Sequence, residues 1–116
     1  MDAMSIFTAI IARDIPADIV FESDSIIAFR DIAPRAPIHI LVVPKTEAYS
    51  NVVELAAGDP PLLAEMVSVA HDIAREHADG DFRLVFNSGA NAGQNVFHVH
   101  AHVLAGGLTE GSLGRE

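Results

Sequence analysis

VFHVHAHVLAG, from Val96 to Gly106, sets three of the chain's six histidines at alternate positions in an apolar run. A period of two is that of a β-strand, whose successive side chains point to opposite faces. On this reading His98, His100 and His102 share one face, while Val99, Ala101 and Val103 turn into a core together with Phe97. Such a strand needs apolar cover on its valine side and partners on its histidine side. The remaining sequence is read for both.

Upstream, FRLVFN (82–87) predicts a neighbouring strand, joined to the first by the loop SGANAGQN. IVFES and IIAFRD flank an acidic turn at Ser23 and Asp24 and predict a hairpin. IHILVVP is apolar on both faces, as a central strand covered on both sides would be, and Pro44 ends it. SIFTAIIARDIP predicts a short helix capped by Ser5, with Phe7, Ile10 and Ile11 on one face and Pro16 as its stop. NVVELAA predicts a helical piece leading to Gly58. Asp59 and Pro60 then start a long helix, along which Leu62, Leu63, Met66, Val69, Ala70 and Ile73 recur at helical spacing until Gly80 closes it. The expected class is α+β: an antiparallel sheet of about five strands with one long and one short helix, the helices on one face.

The 116 residues predict one domain, with a core over about residues 5–107 and a tail over 108–116 that shows no readable pattern. Half the residues are hydrophobic, which fits a packed core, and the absence of cysteine excludes a disulfide framework and thiolate zinc sites. No run approaches the roughly 20 apolar residues of a membrane span. Asp2 stands where a signal peptide carries positive charge. A cytoplasmic protein with no membrane association is expected. The formal net charge of −9 argues against phosphate-driven binding to nucleic acid, but not against a small nucleotide held by local donors.

Three aligned imidazoles fit a metal site, a solvated pH-sensitive surface, or a nucleophile with helpers. Two histidines at i and i+2 can share a zinc ion, but the outer Cα atoms of three would lie roughly 13 Å apart, and no carboxylate follows nearby to complete a set. On spacing a metal is possible but not favoured. A neutral imidazole is a nucleophile toward phosphorus or an acyl carbon, and flanking donors would stabilise the charge that develops. The central His100 has a neighbour on each side and is the candidate attacker.

The loop NSGANAGQN (87–95) holds two glycines and three asparagines, a composition that brings backbone N–H groups close to an anion or simply connects two strands. Asp31, at a strand end in RDIAPRAPIHILVVPK, is placed either to accept ribose hydroxyls or to stabilise a turn. His39 stands among apolar neighbours, so it needs a hydrogen-bond partner, and the triad is the natural one. His71 and His77 receive no role.

HVHAHVL fits the His-φ-His-φ-His-φ-φ signature (φ apolar) of the histidine triad family. The wider stretches SIFTAIIARDIPADIVFESDSIIAFRDIAPRAPIHILVVPK and NSGANAGQNVFHVHAHVLAGG resemble its nucleotide-binding branch, over roughly residues 5 to 107. The resemblance implies the fold of that family, a homodimer whose two sheets join, no required cofactor, and a purine nucleotide of the AMP or GMP type as ligand. It implies hydrolysis of nucleoside 5′-phosphoramidates, and of acyl-adenylates, through a nucleotidyl-histidine. By the same resemblance His100 is the nucleophile, His98 and His102 flank it at the phosphate and leaving group, and His39 is a supporting fourth histidine. Asp31, Asn87, Gly93, Gln94, Asn95 and Val96 match positions around ribose and phosphate, and Phe7, Ile10 and Ile15 match the wall of the base pocket. Two other functions stay open: a dinucleoside polyphosphate hydrolase, and a nucleotide-binding regulatory module with incidental turnover.

Overall fold

The computed structural model describes residues 5–112, so the expectations resting on Asp2 and on the last four residues of the tail lie outside the described residues. Five strands form one antiparallel sheet in the order β1 (Ile19–Glu22), β2 (Ile26–Arg30), β3 (Ile38–Pro44), β5 (Ala101–Ala105), β4 (Arg83–Val85). The apolar IHILVVP is the central strand, as its two-sided pattern predicts, with β2 on one side and β5 on the other. Three helices accompany the sheet: α1 (Ile6–Ile11), α2 (Val52–Gly58) and α3 (Pro60–His77). One is long and two are short, where the sequence reading counts a single short one.

Alternation along the strands divides the core into two layers. Ile26 and Ala28 of β2, Ile40 and Val42 of β3, and Ala101 and Val103 of β5 pack with Leu55 of α2 and with Leu62, Met66, Val69, Ala70 and Ile73 of α3. The intervening Ile27, Phe29, Leu41 and Val43 pack on the opposite face against Phe7 and Ile10 of α1. Helices therefore cover both faces, which corrects the one-face expectation. The physical reason is that β2 and β3 are apolar on both sides, and the second face needs the apolar stripe of α1.

Local signals explain most ends. Asp59 accepts from the Leu62 amide at 3.2 Å, and Asn51 caps α2 by accepting from the Glu54 amide at 2.9 Å. Gly80, at φ +94°, turns the chain away from α3 while its N–H bonds the Ala74 carbonyl. α1 ends at Ala12 rather than at Pro16. Arg13 adopts φ +66°, the Arg13 amide bonds the Ile10 carbonyl and the Asp14 amide bonds the Ala9 carbonyl, so a left-handed residue closes the helix before the proline is reached.

β5 also departs from expectation. It begins at Ala101, so of the three aligned histidines only His102 lies in the strand. The ladder with β3 stops at Val42 opposite Ala101. Beyond it Pro44 has no N–H to donate, its carbonyl accepts from a His98 ring nitrogen, and the Val99 amide bonds the Tyr49 carbonyl instead. Val99 is still buried in the α3 layer, but Phe97 is 56% exposed and does not join the core. No helix among the described residues is long and apolar enough to cross a membrane.

Candidate active site

The four histidines of the site come from three places. β3 supplies His39, β5 supplies His102 opposite Leu41, and the irregular segment before β5 supplies His98 and His100. His39, His98 and His100 are buried, at 6%, 3% and 8% exposure. Each then needs its ring nitrogens satisfied, and the partners fix where the protons sit.

The Arg35 amide donates to His39 Nδ1 at 2.9 Å, which places the proton of the neutral ring on Nε2. That Nε2–H faces His102 Nδ1 at 2.9 Å and Asp31 Oδ2 at 3.4 Å. His102 Nδ1 is therefore an acceptor, and the second proton position of His102 is Nε2–H. His98 Nε2 donates to the Pro44 carbonyl at 2.7 Å, leaving Nδ1 to accept from the Ser5 hydroxyl at 3.1 Å. His100 Nδ1 donates to the His98 carbonyl at 2.9 Å. The consequence for His100 is direct: its proton is on Nδ1 and its lone pair is on Nε2.

Burial favours the neutral form of three of these rings, His39, His100 and His102. Burial pushes His100 below the usual imidazole range, with the bond to the His98 carbonyl opposing. Burial also lowers His102, to about 4, aided by His100 and His39 and opposed by Asp31. His39 is lowered by burial against the attraction of Asp31. Its Nε2 lies 3.4 Å from Asp31 Oδ2. Phe7 seals the base of the site, with its ring edge-on to His100 at 4.9 Å and to His98 at 5.9 Å.

The structure brings together Asp31, His39 and His102 in one chain of contacts and Phe7, His98 and His100 in another, with His100 and His102 rings 5.2 Å apart. Asp31 stabilises the turn, one of the two readings of its position: Oδ1 accepts from the Ala33 amide at 2.8 Å, while Oδ2 approaches His39. Gln94 is buried and committed to the loop, accepting from the Gly89 amide and donating to the Ser50 and Val96 carbonyls at 2.6 and 3.0 Å. Gly93 takes φ +97° beside the Asn87 amide group, where a side chain would be strained. Val96 and Ile10 belong to the α1 layer. Asn95 and Ile15 are exposed, and neither enters the hydrogen bonds or ring contacts around the histidines among the described residues.

Sequence reasoning identified Ser5 only as a helix cap and did not connect it, Thr8, the Pro44 carbonyl or the Arg35 amide with the site. The first of these lies 93 positions from the histidine it bonds, so no local pattern reports the contact.

Asp31, His39 and His102 also offer ligand atoms within 4.8 Å of one another. A neutral histidine binding metal through Nε2 carries its proton on Nδ1. Here His39 Nδ1 faces the Arg35 N–H instead, so the two hydrogens would oppose each other. A metal held through His39 Nε2 would require the turn at Arg35 to move.

A five-stranded antiparallel sheet with its imidazoles gathered at the centre and a lone pair fixed on the middle one defines a triad-type fold. Residues 4–116 match the family described as "Scavenger mRNA decapping enzyme C-term binding". The chain is 41% identical over 104 residues to the purine nucleoside phosphoramidase of Escherichia coli K12, covering 88% of this chain and 87% of that one. It is 45% identical over 107 residues to an uncharacterized HIT-like protein of Synechococcus elongatus, covering 91% and 93% of the two chains. A HIT family hydrolase from Clostridium thermocellum superposes with a TM-score of 0.85 at 34% identity, over 100% of this chain and 98% of that one. The chain belongs to the histidine triad (HIT) family.

Proposed function

We propose that this chain hydrolyses purine nucleoside 5′-phosphoramidates, with acyl-adenylates as a second substrate class, through a nucleotidyl intermediate on His100. The observation that carries the reading is the His100 tautomer: Nδ1–H is held by the His98 carbonyl, and burial keeps Nε2 unprotonated. A neutral, oriented imidazole is the reactive form toward phosphorus. The phosphoramidase name of the Escherichia coli relative supports the substrate class.

In the first step His100 Nε2 forms a bond to the α-phosphorus as the phosphorus–nitrogen bond of the substrate breaks. The amine departs after gaining a proton from solvent, which the second step returns. In the second step a water oxygen replaces His100 on phosphorus, giving the nucleoside monophosphate, the freed imidazole and one proton. His102 offers Nε2–H to a non-bridging phosphate oxygen, and the Asp31–His39 pair holds that ring in the donor tautomer. Asp31 accepts the ribose hydroxyls in this reading. Asn87, Gly93, Asn95 and Val96 border the ribose and phosphate, with Gln94 shaping their loop. Ile15 offers apolar surface to the base, backed by Phe7 and Ile10.

The reaction is proposed to need no metal or other cofactor. We propose, further, that two copies join their sheets into a homodimer and work in the cytoplasm. Molar mass by light scattering checks the dimer.

The deciding experiment is intact mass spectrometry after mixing with an adenosine phosphoramidate and quenching early in turnover. An adenylyl adduct mapped to His100 is expected, and formed equally in excess chelator. Turnover with no adduct, or with the adduct on another residue, removes the assignment.

A further inference from the structure

His98 is the one triad member with no ring nitrogen to offer. It is 3% exposed, its Nε2–H is donated to the Pro44 carbonyl, and its Nδ1 is satisfied by Ser5. Ser5 Oγ lies at the centre of a small network. The Thr8 amide donates to it at 3.0 Å, and the Thr8 hydroxyl lies at 3.1 Å. Because His98 Nδ1 accepts, the Ser5 proton points at the imidazole, and the Thr8 hydroxyl is left to donate to Ser5. The network therefore has one direction, Thr8 to Ser5 to His98 to the Pro44 carbonyl. It passes through His98, the residue whose own backbone carbonyl holds His100 Nδ1–H.

We infer that Ser5 is a positioning residue for the reaction proposed above: its hydroxyl holds the His98 ring, and through the His98 carbonyl it fixes the orientation and tautomer of His100. Since that inference rests on the reading of His100 as nucleophile, it also needs a measurement that does not depend on turnover. The same hydroxyl starts α1, whose Phe7 packs edge-on to both rings. One side chain thus ties the helix start to two sides of the nucleophile. His98, in consequence, acts through His100 and not on the phosphate.

Three variants separate this from a merely structural cap. Ser5→Asp keeps an effective N-cap but has no proton to donate to His98 at neutral pH. Ser5→Ala removes both functions. Ser5→Thr restores both. Ring-nitrogen NMR on the ligand-free protein reads the His98 and His100 tautomers, and steady-state kinetics with an adenosine phosphoramidate reads kcat and KM.

The expected result is a loss of about 10- to 100-fold in kcat, with KM little changed, for both Ser5→Asp and Ser5→Ala. Altered His98 and His100 ring signals should accompany the loss, and Ser5→Thr should return wild-type values. Wild-type tautomers in a folded Ser5→Asp protein would overturn the inference, as would a kcat lost in Ser5→Ala alone. If the wild-type protein turns over no phosphoramidate, the substrate reading fails while the NMR comparison still decides the role of Ser5.

Discussion

The two faces of the sheet solve different problems with the same strands. Toward α2 and α3 the middle of the ladder is apolar: Ile26, Ala28, Ile40, Val42, Ala101 and Val103 meet the stripe of α3 in one continuous layer, with Arg30 at its edge beside His77. Toward α1 the apolar run of Ile27, Phe29, Leu41 and Val43 gives way, on β3 and β5, to His39 and His102. The first face is stabilised by area and shape alone, which tolerate any pattern of the right period. The second carries buried polar rings, and each ring must find a partner or cost the fold free energy. Stability resides mainly on one face, and chemistry on the other.

Removing the nucleophile is the sharpest way to test that division. His100→Ala should cut kcat by at least about a thousandfold with an adenosine phosphoramidate, while the protein stays folded and binds AMP. A variant that retains activity would end the assignment of chemistry to this face. The converse change lies on the other face. Met66→Ala, at a fully buried position of α3, should destabilise by about 2–5 kcal/mol in denaturant unfolding and leave kcat per folded molecule unchanged. A selective loss of kcat would mean that the two layers are coupled.

Gln94→Ala tests whether loop shape belongs with the chemistry. It strips partners from the Gly89 amide and the Ser50 and Val96 carbonyls, so a destabilisation of about 1–3 kcal/mol and a raised KM are expected. Unchanged KM would place the loop outside nucleotide binding.

Acid is the mildest probe. The folded pKa of His102 is depressed, to about 4 from the ordinary 6.5, so between these values the unfolded chain binds more protons than the folded one. The stability contributed is fully present above about pH 6.5 and is lost as pH falls toward about 4. Thermal midpoints should fall across that window, and His102→Gln should flatten the fall. Equal slopes in both proteins would exclude His102 as a source. His100 is lowered in the same direction, so kcat should persist below the pH at which an ordinary imidazole protonates.

Periodicity made the apolar face legible in advance. The α3 stripe from Leu62 to Ile73 is buried as its spacing predicts, the Asp59 cap and the Gly80 stop hold, and β3 is central because it is apolar on both sides. The motif also named histidines that the structure brings together, with the His100 and His102 rings 5.2 Å apart, and it placed His98, His100 and His102 on one side. It did not show where β5 begins, because the ladder is ended by a proline on another strand, and it exposed Phe97 to the core only on paper. The histidines that come together were legible in the sequence, and their hydrogen-bond partners were not. Gln94 reads as a nucleotide contact, and its side chain bonds the Gly89 amide and the Ser50 and Val96 carbonyls. His98 reads as an assistant at the phosphate, yet both its nitrogens are spent inside the fold.

By itself the sequence determined the approximate strand and helix segments, the apolar stripe of α3 and the central place of β3, because these follow from side-chain periods of 2 and 3.6 residues and from capping chemistry within a turn of the chain. Only the tertiary structure decided which nitrogen of each histidine carries the proton. That depends on donors and acceptors brought from distant positions, the Arg35 amide, the Pro44 carbonyl and the Ser5 hydroxyl. A tautomer is set by the partner across the hydrogen bond, and sequence spacing does not carry the identity of that partner.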